Sequence, residues 1–166
     1  MTVMQAIKDR RSVRHYADRP IEEEVLAQVL EAGRLAPSAT NRQEWKFVVA
    51  RDPAKREALS AACCNQKMVA EAPATLIVCA TAGGAMPCGQ LAETVDCSIA
   101  MSFMMLEAAE LGLGACWLGA FKADAVKDVL GLPEDYTPVV VSPLGYPAEQ
   151  PDARPRKALE EVVEYR

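Results

Sequence analysis

The sequence predicts a small α+β or α/β domain in which helices pack against a modest sheet. Stretches with apolar residues at helical spacing alternate with short β-rich stretches along the whole chain. The 166 residues fit one domain, residues 1–166, since roughly 100–200 residues form a usual domain. Apolar residues make up 51% of the chain, which is enough to fill a core.

The first part of the chain predicts three helices and one strand. Residues 2–8 form a helix that is capped by its first residue, a threonine. Residues 20–24 open the second helix, because proline and acidic residues suit a helix N-terminus, and Gly33 lies near its end. Residues 46–51, KFVVAR, are a short strand. The third helix is expected at residues 52–63.

The middle of the chain predicts the most deeply buried elements. Residues 74–80, ATLIVCA, are apolar on both faces, as expected of a central strand covered by helices on each side. A flexible connection, residues 83–87, leads to a helix at residues 91–111. Because that helix is apolar almost all round, we expect it to be buried in the domain centre or against a partner.

Shorter segments complete the chain. Residues 115–118 and 139–141 are predicted strands, and residues 123–130 are an amphipathic helix that a glycine ends. A turn is predicted at residues 143–147. The tail, residues 149–156, is expected to be extended and exposed.

The charge and hydropathy of the chain exclude several classes of partner. The net charge of −5 argues against general binding to nucleic acid or to an anionic membrane surface. The most apolar stretch, residues 97–106, is too short to span a bilayer. Residues 1–14 are charged and lack the apolar core of a secretory signal, so we expect a cytoplasmic protein.

The cysteines favour no metal site. There are six cysteines without a CxxC spacing, and His15 is the single histidine, so no zinc site is expected. The thiols are expected to be reduced and mostly buried. A thiol redox or metal sensor is a rival interpretation that depends on the adjacent Cys63 and Cys64, although adjacent thiols pair only with strain.

Arginine clusters at opposite ends of this acidic chain need an anion to explain them. The first holds Arg10, Arg11, Ser12 and Arg14, and the second is in residues 154–156. Guanidinium groups make planar bidentate contacts to phosphate oxygens, so a phosphate-bearing cofactor is the simplest ligand. The alternative for the first cluster is solvated charge, partly paired with the glutamates that open the second helix.

Two further segments have the composition of ligand-binding loops. Residues 37–43 are mostly small and polar and follow a helix, which suits a tight loop with donors and acceptors. Their alternative is a loop whose side chains satisfy one another. Gly119 and Ala120 follow a predicted strand, where small residues let backbone N–H groups approach a flat ring, or simply form a turn. The chain has no GxGxxG or Walker motif.

Taken together, these segments resemble the nitroreductase family of dimeric FMN-dependent NAD(P)H oxidoreductases. The resemblance covers essentially the whole chain. It implies an α+β sandwich with a central, mostly antiparallel sheet flanked by helices and a C-terminal tail that extends over the partner subunit. The matching motifs are RRSVRHY, AGRLAPSATNRQEWKFVV, APATLIV, VDCSIAMSFMMLEAAELGLGACWLGAF, VVVSPLGYP and ARPRKALEEVV.

The resemblance implies a role for each end of the flavin site. Arg10 and Ser12, with Arg11 beside them, would hold the phosphate and ribityl end of FMN, and Arg154 and Arg156 would close on the same phosphate. The isoalloxazine ring would be contacted by a second set of residues. These are Arg14 near N1 and O2, Pro37, Ser38, Ala39, Thr40, Asn41 and Gln43 across the dimer interface, Leu118, Gly119 and Ala120 near N5 and O4, and Asn65 and Lys67.

The resemblance also implies the activity. FMN would accept hydride from NAD(P)H and pass it to a small-molecule acceptor, a nitroaromatic or a quinone, by ping-pong kinetics. No protein nucleophile is needed, and Arg14 would tune the ring electrostatically. A flavin store or electron carrier without its own NAD(P)H turnover is the alternative. Flavin fragmentation and reductive dehalogenation stay open within the family likeness.

Two departures from the family pattern concern substrate access. The segment between Thr81 and Asp96 is abbreviated, and Glu44 stands where the family usually has proline. The apolar helix at residues 91–111 gives a physical reason for a homodimer, since one small domain can hardly cover it. We expect two FMN sites at that interface.

Overall fold

The computed structural model describes residues 2–166, and in that range the chain forms a four-stranded sheet with six α-helices. The strand order is β1-β2-β4-β3 and every neighbouring pair is antiparallel, which confirms the α+β class and the antiparallel sheet. The strands are β1 (Trp45–Ala50), β2 (Ala74–Ala80), β3 (Gly114–Ala115) and β4 (Thr137–Gly145). The helices are α1 (Val3–Asp9), α2 (Glu23–Arg34), α3 (Pro53–Ala62), α4 (Lys67–Glu71), α5 (Ala92–Glu110) and α6 (Ala123–Leu130).

Alternate residues of the buried strand β2 face two separate hydrophobic cores. Leu76 and Val78 belong to a core that also contains side chains of α2 and α5. Ile77 and Cys79 belong to a second core with side chains of α3, α4 and α6. Because successive strand residues point to opposite faces, helices cover both sides of the sheet. The prediction of a central strand at residues 74–80 is confirmed, with the same boundaries.

Several helix ends have the chemistry that the sequence predicts. The Thr2 hydroxyl accepts a hydrogen bond from the Gln5 N–H at 3.2 Å and caps α1. The Asp52 carboxylate accepts one from the Lys55 N–H at 2.9 Å and caps α3. At the end of α6, Gly131 adopts the left-handed conformation with φ of 63°.

Other predicted boundaries are wrong. The second helix begins at Glu23 and not at residue 20, and the sequence reasoning missed α4 altogether. The predicted turn at residues 143–147 starts too early, because Pro143 pairs with Thr75 as part of β4. Strand β3 contacts β4 only at Leu144 and Gly145, so Pro143 occupies a position with a strand on one side, where proline is accommodated.

The strand predicted at residues 115–118 is shorter than expected. β3 ends at Ala115, and Leu118 pairs separately with Val141 of β4. The chain therefore leaves the sheet and returns to it within three residues. That irregularity places Gly119 and Ala120 at the surface, where both are exposed.

A segment after α1, residues 12–17, is fixed to this edge of the sheet. The Val13 N–H donates to Ala115 O at 3.1 Å, and the Ala17 N–H donates to Tyr146 O at 2.8 Å. The paired glycines Gly114 and Gly145 make this close approach possible. A Cβ at Gly114 would lie 2.7 Å from the Val13 side chain, and one at Gly145 would lie 2.5 Å from Pro73.

Helix α5 is covered largely by its own chain. Met101 and Met104 are fully buried in the core, and Gly33 of α2 packs directly on Met104. What remains apolar at the surface is a groove between α1 and α5, where Val3 is 74% and Phe103 is 41% exposed. No helix within residues 2–166 is long and apolar enough to cross a membrane.

Candidate functional site

A cavity of about 700 Å³ lies between the end of α1 and the C-terminal tail. Both arginine clusters face it, although 140 residues separate them in the sequence. Residues 149–156 of the tail are mostly exposed along this cavity, as predicted, and form no helix or strand. The lining residues are Ile7, Lys8, Arg10, Arg11, Ser12, Arg14, Pro151, Asp152, Ala153, Arg154, Pro155 and Arg156.

The end of α1 sets the positions of the first arginines. Arg10 is the C-terminal cap residue, and its N–H donates to Ala6 O at 2.9 Å. The Arg11 guanidinium turns back and donates to Lys8 O at 2.6 Å and to Arg10 O at 3.0 Å. Arg11 therefore satisfies the last carbonyl groups of the helix. Of the two, Arg10 has the guanidinium that is open to the cavity.

The remaining cavity arginines bond only to backbone oxygens. Arg14 donates to Ser12 O at 3.1 Å, and Arg156 donates to Arg154 O and Pro155 O, each at 3.3 Å. Among residues 2–166, none of Arg10, Arg14, Arg154 or Arg156 forms an ion pair. Asp152 is the one acidic residue among the lining residues, so the cavity carries a large excess of positive charge.

The glutamates that open the second helix do not neutralise these arginines. Glu22 pairs with Arg19 at 2.7 Å, and Glu23 pairs with Arg51. The alternative in which the first cluster pairs with residues 22–24 is therefore wrong.

The side chains next to the arginine segment on the sheet side carry no charge, and two of them, Cys116 and Tyr16, are buried. Ser12 pairs with Ala115 in a parallel bridge. Burial raises the pKa of the neighbouring Cys116 thiol, an effect that the positive charge of Arg14 opposes. The Tyr16 hydroxyl donates to Val13 O at 2.8 Å, and burial raises its pKa. Neutral groups here leave the charge of the cavity to the arginines.

The loop of residues 37–43 has an unusual backbone. Thr40, Asn41 and Gln43 have φ values of 49°, 57° and 56°, which residues other than glycine seldom adopt. Two side chains hold this shape. The Ser38 hydroxyl accepts from the Gln43 N–H at 3.0 Å, and both carboxylate oxygens of the buried Asp96 lie 3.1 Å from the Ala39 nitrogen.

Part of this loop follows the alternative in which its side chains satisfy one another. The Thr40 hydroxyl donates to Ala39 O at 2.8 Å, and the Gln43 amide donates to Asn41 O at 3.2 Å. Pro37 and Asn41 are exposed. None of residues 37–43 lines the arginine cavity. The two predicted parts of the site are therefore separate within a single chain.

The other predicted contact residues also lie away from the cavity. Asn65, with φ of 59°, and Lys67, the first residue of α4, are both exposed. Leu118 uses its backbone in the sheet, donating to Val141 O at 2.9 Å and accepting from the Val141 N–H at 3.4 Å. Within residues 2–166, the N–H groups of Gly119 and Ala120 have no hydrogen-bond partner, so these two can address a ligand.

Two positions that support the site carried little signal in the sequence. Asp96 is a lone acid on a buried face of an apolar helix, and that contrast could have identified it. Glu149 gave no signal: its carboxylate accepts from the backbone N–H groups of Arg14 and His15, at 2.7 and 3.2 Å. The residues described contain no group of histidine, cysteine, aspartate or glutamate side chains that could hold a metal ion.

The donor set of the cavity fits the phosphate of a cofactor such as FMN. Five arginines line it from two segments, and none of them pairs with a carboxylate of residues 2–166. Guanidinium groups bind phosphate oxygens in bidentate geometry. The fold and this cavity together define an α+β sandwich protein with an arginine-lined cavity at the edge of its sheet.

Comparison with known proteins gives the family. A model of the Nitroreductase family matches residues 7–77 and 60–146. A protein of Methanothermobacter thermautotrophicus, provisionally named NADH dehydrogenase/NAD(P)H nitroreductase, is 37% identical over 164 residues, which cover 93% of this chain and 82% of the relative. The chain belongs to the nitroreductase family.

A second relative and a solved structure agree with this. The FMN reductase [NAD(P)H] of Bacillus subtilis is 28% identical over 96% of this chain and 72% of its own length. The crystal structure of a nitroreductase family protein from Clostridium difficile is 31% identical. It covers 99% of this chain and 98% of its own, with a TM-score of 0.88.

Proposed function

We propose that this protein reduces a small nitroaromatic or quinone acceptor with hydride from NAD(P)H, by ping-pong kinetics and with FMN as its cofactor. Its family, and the activities for which its relatives are named, make it an NAD(P)H-dependent flavin oxidoreductase. The identity of the acceptor and the order of the steps are our proposal.

One observation supports the cofactor assignment above the others. Arg10 and Arg14 at one end of the chain and Arg154 and Arg156 at the other share one cavity, and no carboxylate of residues 2–166 pairs with them. Holding four unpaired cations together is unfavourable by itself, so an anion is needed to offset their mutual repulsion. The phosphate of FMN supplies that charge.

The residues have separate tasks in this proposal. Arg10, Ser12, Arg154 and Arg156 hold the phosphate end, and Arg14 lies nearest the ring, where a cation stabilises negative charge. The free N–H groups of Gly119 and Ala120 are donors to the polar edge of the ring. The bound flavin supplies hydride transfer. The protein binds it, orients it and sets the field around it.

In this proposal a homodimer brings residues 37–43, Asn65 and Lys67 to the flavin ring. Since none of them lines the arginine cavity of its own chain, we propose that they reach the flavin of a second subunit, over which the tail also extends. The exposed groove of α1 and α5, in which Val3 is 74% and Phe103 41% exposed, offers a surface for that contact. Light scattering at several protein concentrations tests this; a monomer that retains flavin contradicts it.

The cell compartment is part of the same proposal. All six cysteines are free thiols, as expected in a reducing compartment such as the cytoplasm. Four of them are buried, among them Cys63 of the adjacent pair, and burial raises the pKa of the Cys63 thiol to about 11. A thiol in that state is a poor nucleophile, which disfavours the thiol-sensor interpretation.

The absorbance spectrum of the purified protein tests the cofactor. We expect flavin bands in the wild type and their loss in the double variant Arg10→Ala/Arg156→Ala. The matched control is Arg34→Ala/Arg166→Ala, which removes two exposed arginines paired with glutamates outside the cavity. A wild type without flavin, or a cavity variant that keeps it, contradicts the assignment.

Steady-state kinetics test the order of the steps. With NAD(P)H and a quinone varied together, the proposal predicts parallel double-reciprocal lines, because the first product leaves before the acceptor enters. Intersecting lines contradict ping-pong kinetics. No bleaching of bound flavin by NAD(P)H would favour a flavin store instead.

A further inference from the structure

Glu149 is an acidic residue at the edge of a site built from arginines. Its Oε1 atom accepts hydrogen bonds from two successive backbone groups, the Arg14 N–H at 2.7 Å and the His15 N–H at 3.2 Å. The neighbouring Ala148 N–H donates to His15 O at 2.9 Å. Residues 148 and 149 are thus tied to the backbone of the first arginine cluster.

These hydrogen bonds are the last ones to residues 2–17 before the tail passes along the cavity. None of the hydrogen bonds of residues 150–157 reaches residues 2–17. Arg154 and Arg156 follow Glu149 by five and seven residues in a mostly exposed stretch without helix or strand. An extended chain spans about 3.3 Å per residue, so the anchor at Glu149 sets where both guanidinium groups can reach.

The Glu149 carboxylate anchors the start of the tail without pairing with the cavity arginines. It accepts only from backbone N–H groups, and it forms no ion pair with Arg10, Arg14, Arg154 or Arg156 among the residues described. A glutamate that paired with a guanidinium would compete with the anion for it. Here the negative charge lies close to the cluster, while the side-chain donors stay available.

We propose that Glu149 is a positioning residue that holds the C-terminal arginines in place over the phosphate bound by the first cluster. This inference rests on the proposed function and deepens it. Glu149 touches neither phosphate nor ring; it acts through Arg154 and Arg156. Its loss therefore weakens binding of a flavin that has a phosphate more than binding of one that has none.

Titration of the full-length apoprotein with FMN and with riboflavin, by quenching of flavin fluorescence, tests this. We expect Glu149→Ala to weaken FMN binding by about 10- to 100-fold, because the variant loses hydrogen bonds to a charged group. Riboflavin binding should change by less than about threefold. Glu149→Gln keeps the accepting oxygen, so its loss of FMN affinity is smaller. Gln150→Ala, at the next position and without a hydrogen bond of its own, binds both flavins as the wild type does.

A double-mutant cycle separates positioning from general stability. In a chain that already carries Arg154→Ala/Arg156→Ala, adding Glu149→Ala has no further effect on FMN affinity, because the groups through which it acts are absent. A merely structural role would lower the affinity by the same factor in both backgrounds.

Each contrary result has a clear meaning. The role of Glu149 alone is overturned if the wild type and Glu149→Ala bind FMN equally tightly. It is also overturned if Glu149→Ala loses affinity for FMN and for riboflavin by the same factor. It is also overturned by an additive double-mutant cycle. If the Ala variant does not fold, Glu149→Gln takes its place: a loss of FMN affinity that exceeds its loss of riboflavin affinity supports the role, and an equal loss for both flavins, or none, overturns it. A wild type that binds neither flavin overturns the proposed function as well.

Discussion

The arginine cavity and the loop of residues 37–43 are both parts of the proposed flavin site, but the chain builds them in opposite ways. On one side of the cavity, residues 12–17 are held by backbone hydrogen bonds to Ala115 of β3 and to Tyr146, just after β4, and among residues 2–166 the cavity arginines form no ion pair. The loop has three residues at positive φ, and several of its side chains already bond to their own backbone.

The difference separates two ways of recognising one ligand. The cavity offers charge on long side chains, which suits a phosphate that can be met from many directions. The loop offers a fixed shape, which suits a flat ring that must be met at one distance and angle. We therefore expect cavity variants to distinguish FMN from riboflavin, and loop variants to weaken both flavins alike.

The largest effect is expected from the cavity. Arg10→Ala/Arg156→Ala should lower FMN affinity by about 100- to 1,000-fold, because two charge-assisted hydrogen bonds are lost, and should leave riboflavin affinity almost unchanged. Fluorescence titrations with both flavins measure this. Equal losses for FMN and riboflavin would show that the arginines do not act on the phosphate.

A loop variant should give the contrasting pattern. Ser38→Ala removes the acceptor of the Gln43 N–H, and we expect FMN and riboflavin affinities to fall together by about fivefold, as for the loss of one neutral hydrogen bond. Ser102→Ala, on the exposed side of α5, is the matched control. A loss confined to FMN would break the comparison, since it would place Ser38 at the phosphate.

The backbone of the loop can be tested through stability. Thr40 is a β-branched residue with φ of 49°, so Thr40→Gly should raise the free energy of unfolding by about 0.5–1 kcal/mol, measured by urea denaturation. The same change at Thr137, an exposed position in strand β4, should lower it. If both variants lose stability equally, the loop is not strained.

The smallest expected effect is a change in how the stability of the fold depends on pH. Next to the segment that carries the arginines, the Tyr146 hydroxyl donates to Glu22 at 2.5 Å and, with Arg19, lowers the pKa of Glu22 to about 2. Its contribution to stability is therefore present above the usual carboxyl pKa and is lost as the pH falls from about 4.5 to 2. Tyr146→Phe should unfold at a melting temperature that depends less on pH across this window.

Circular dichroism melts at pH 6 and pH 2.5 measure that difference. The matched control is Tyr165→Phe, which removes the hydroxyl of a tyrosine that is 92% exposed and should leave the pH dependence unchanged. An unchanged pH dependence in Tyr146→Phe would show that the hydroxyl does not anchor this segment.

The sequence predicted most of the fold, and the physical reasons are local. Residues 74–80 and 123–130 were placed with the observed boundaries, because a run of buried apolar residues and a glycine at the helix end are signals within each segment. The five-residue α4 was missed because it is too short to show a period. Pro143 was misplaced because its position in β4 depends on how far β3 extends, which is a tertiary property.

The site was predictable in its chemistry and less so in its geometry. Clustered arginines at both ends indicated an anion, since no other residue type gives that pattern of donors. Nothing local indicated that Arg11 would cap its own helix or that Glu149 would bond to the backbone at Arg14. Nor did the polar composition of residues 37–43 predict positive φ at Thr40, which would normally favour glycine.

The glycine pair at the edge of the sheet has a consequence for anyone who wishes to evolve this protein in the laboratory. Gly114 and Gly145 lie side by side, and Val13 and Pro73 occupy the space that their side chains would need. A library that randomises the exposed arginines can sample many charges and lengths without disturbing the sheet. A side chain at Gly114 would instead collide with Val13 of the arginine segment, and one at Gly145 would collide with Pro73, so new ligand preferences should arise at positions 10 and 14 and seldom at 114 or 145.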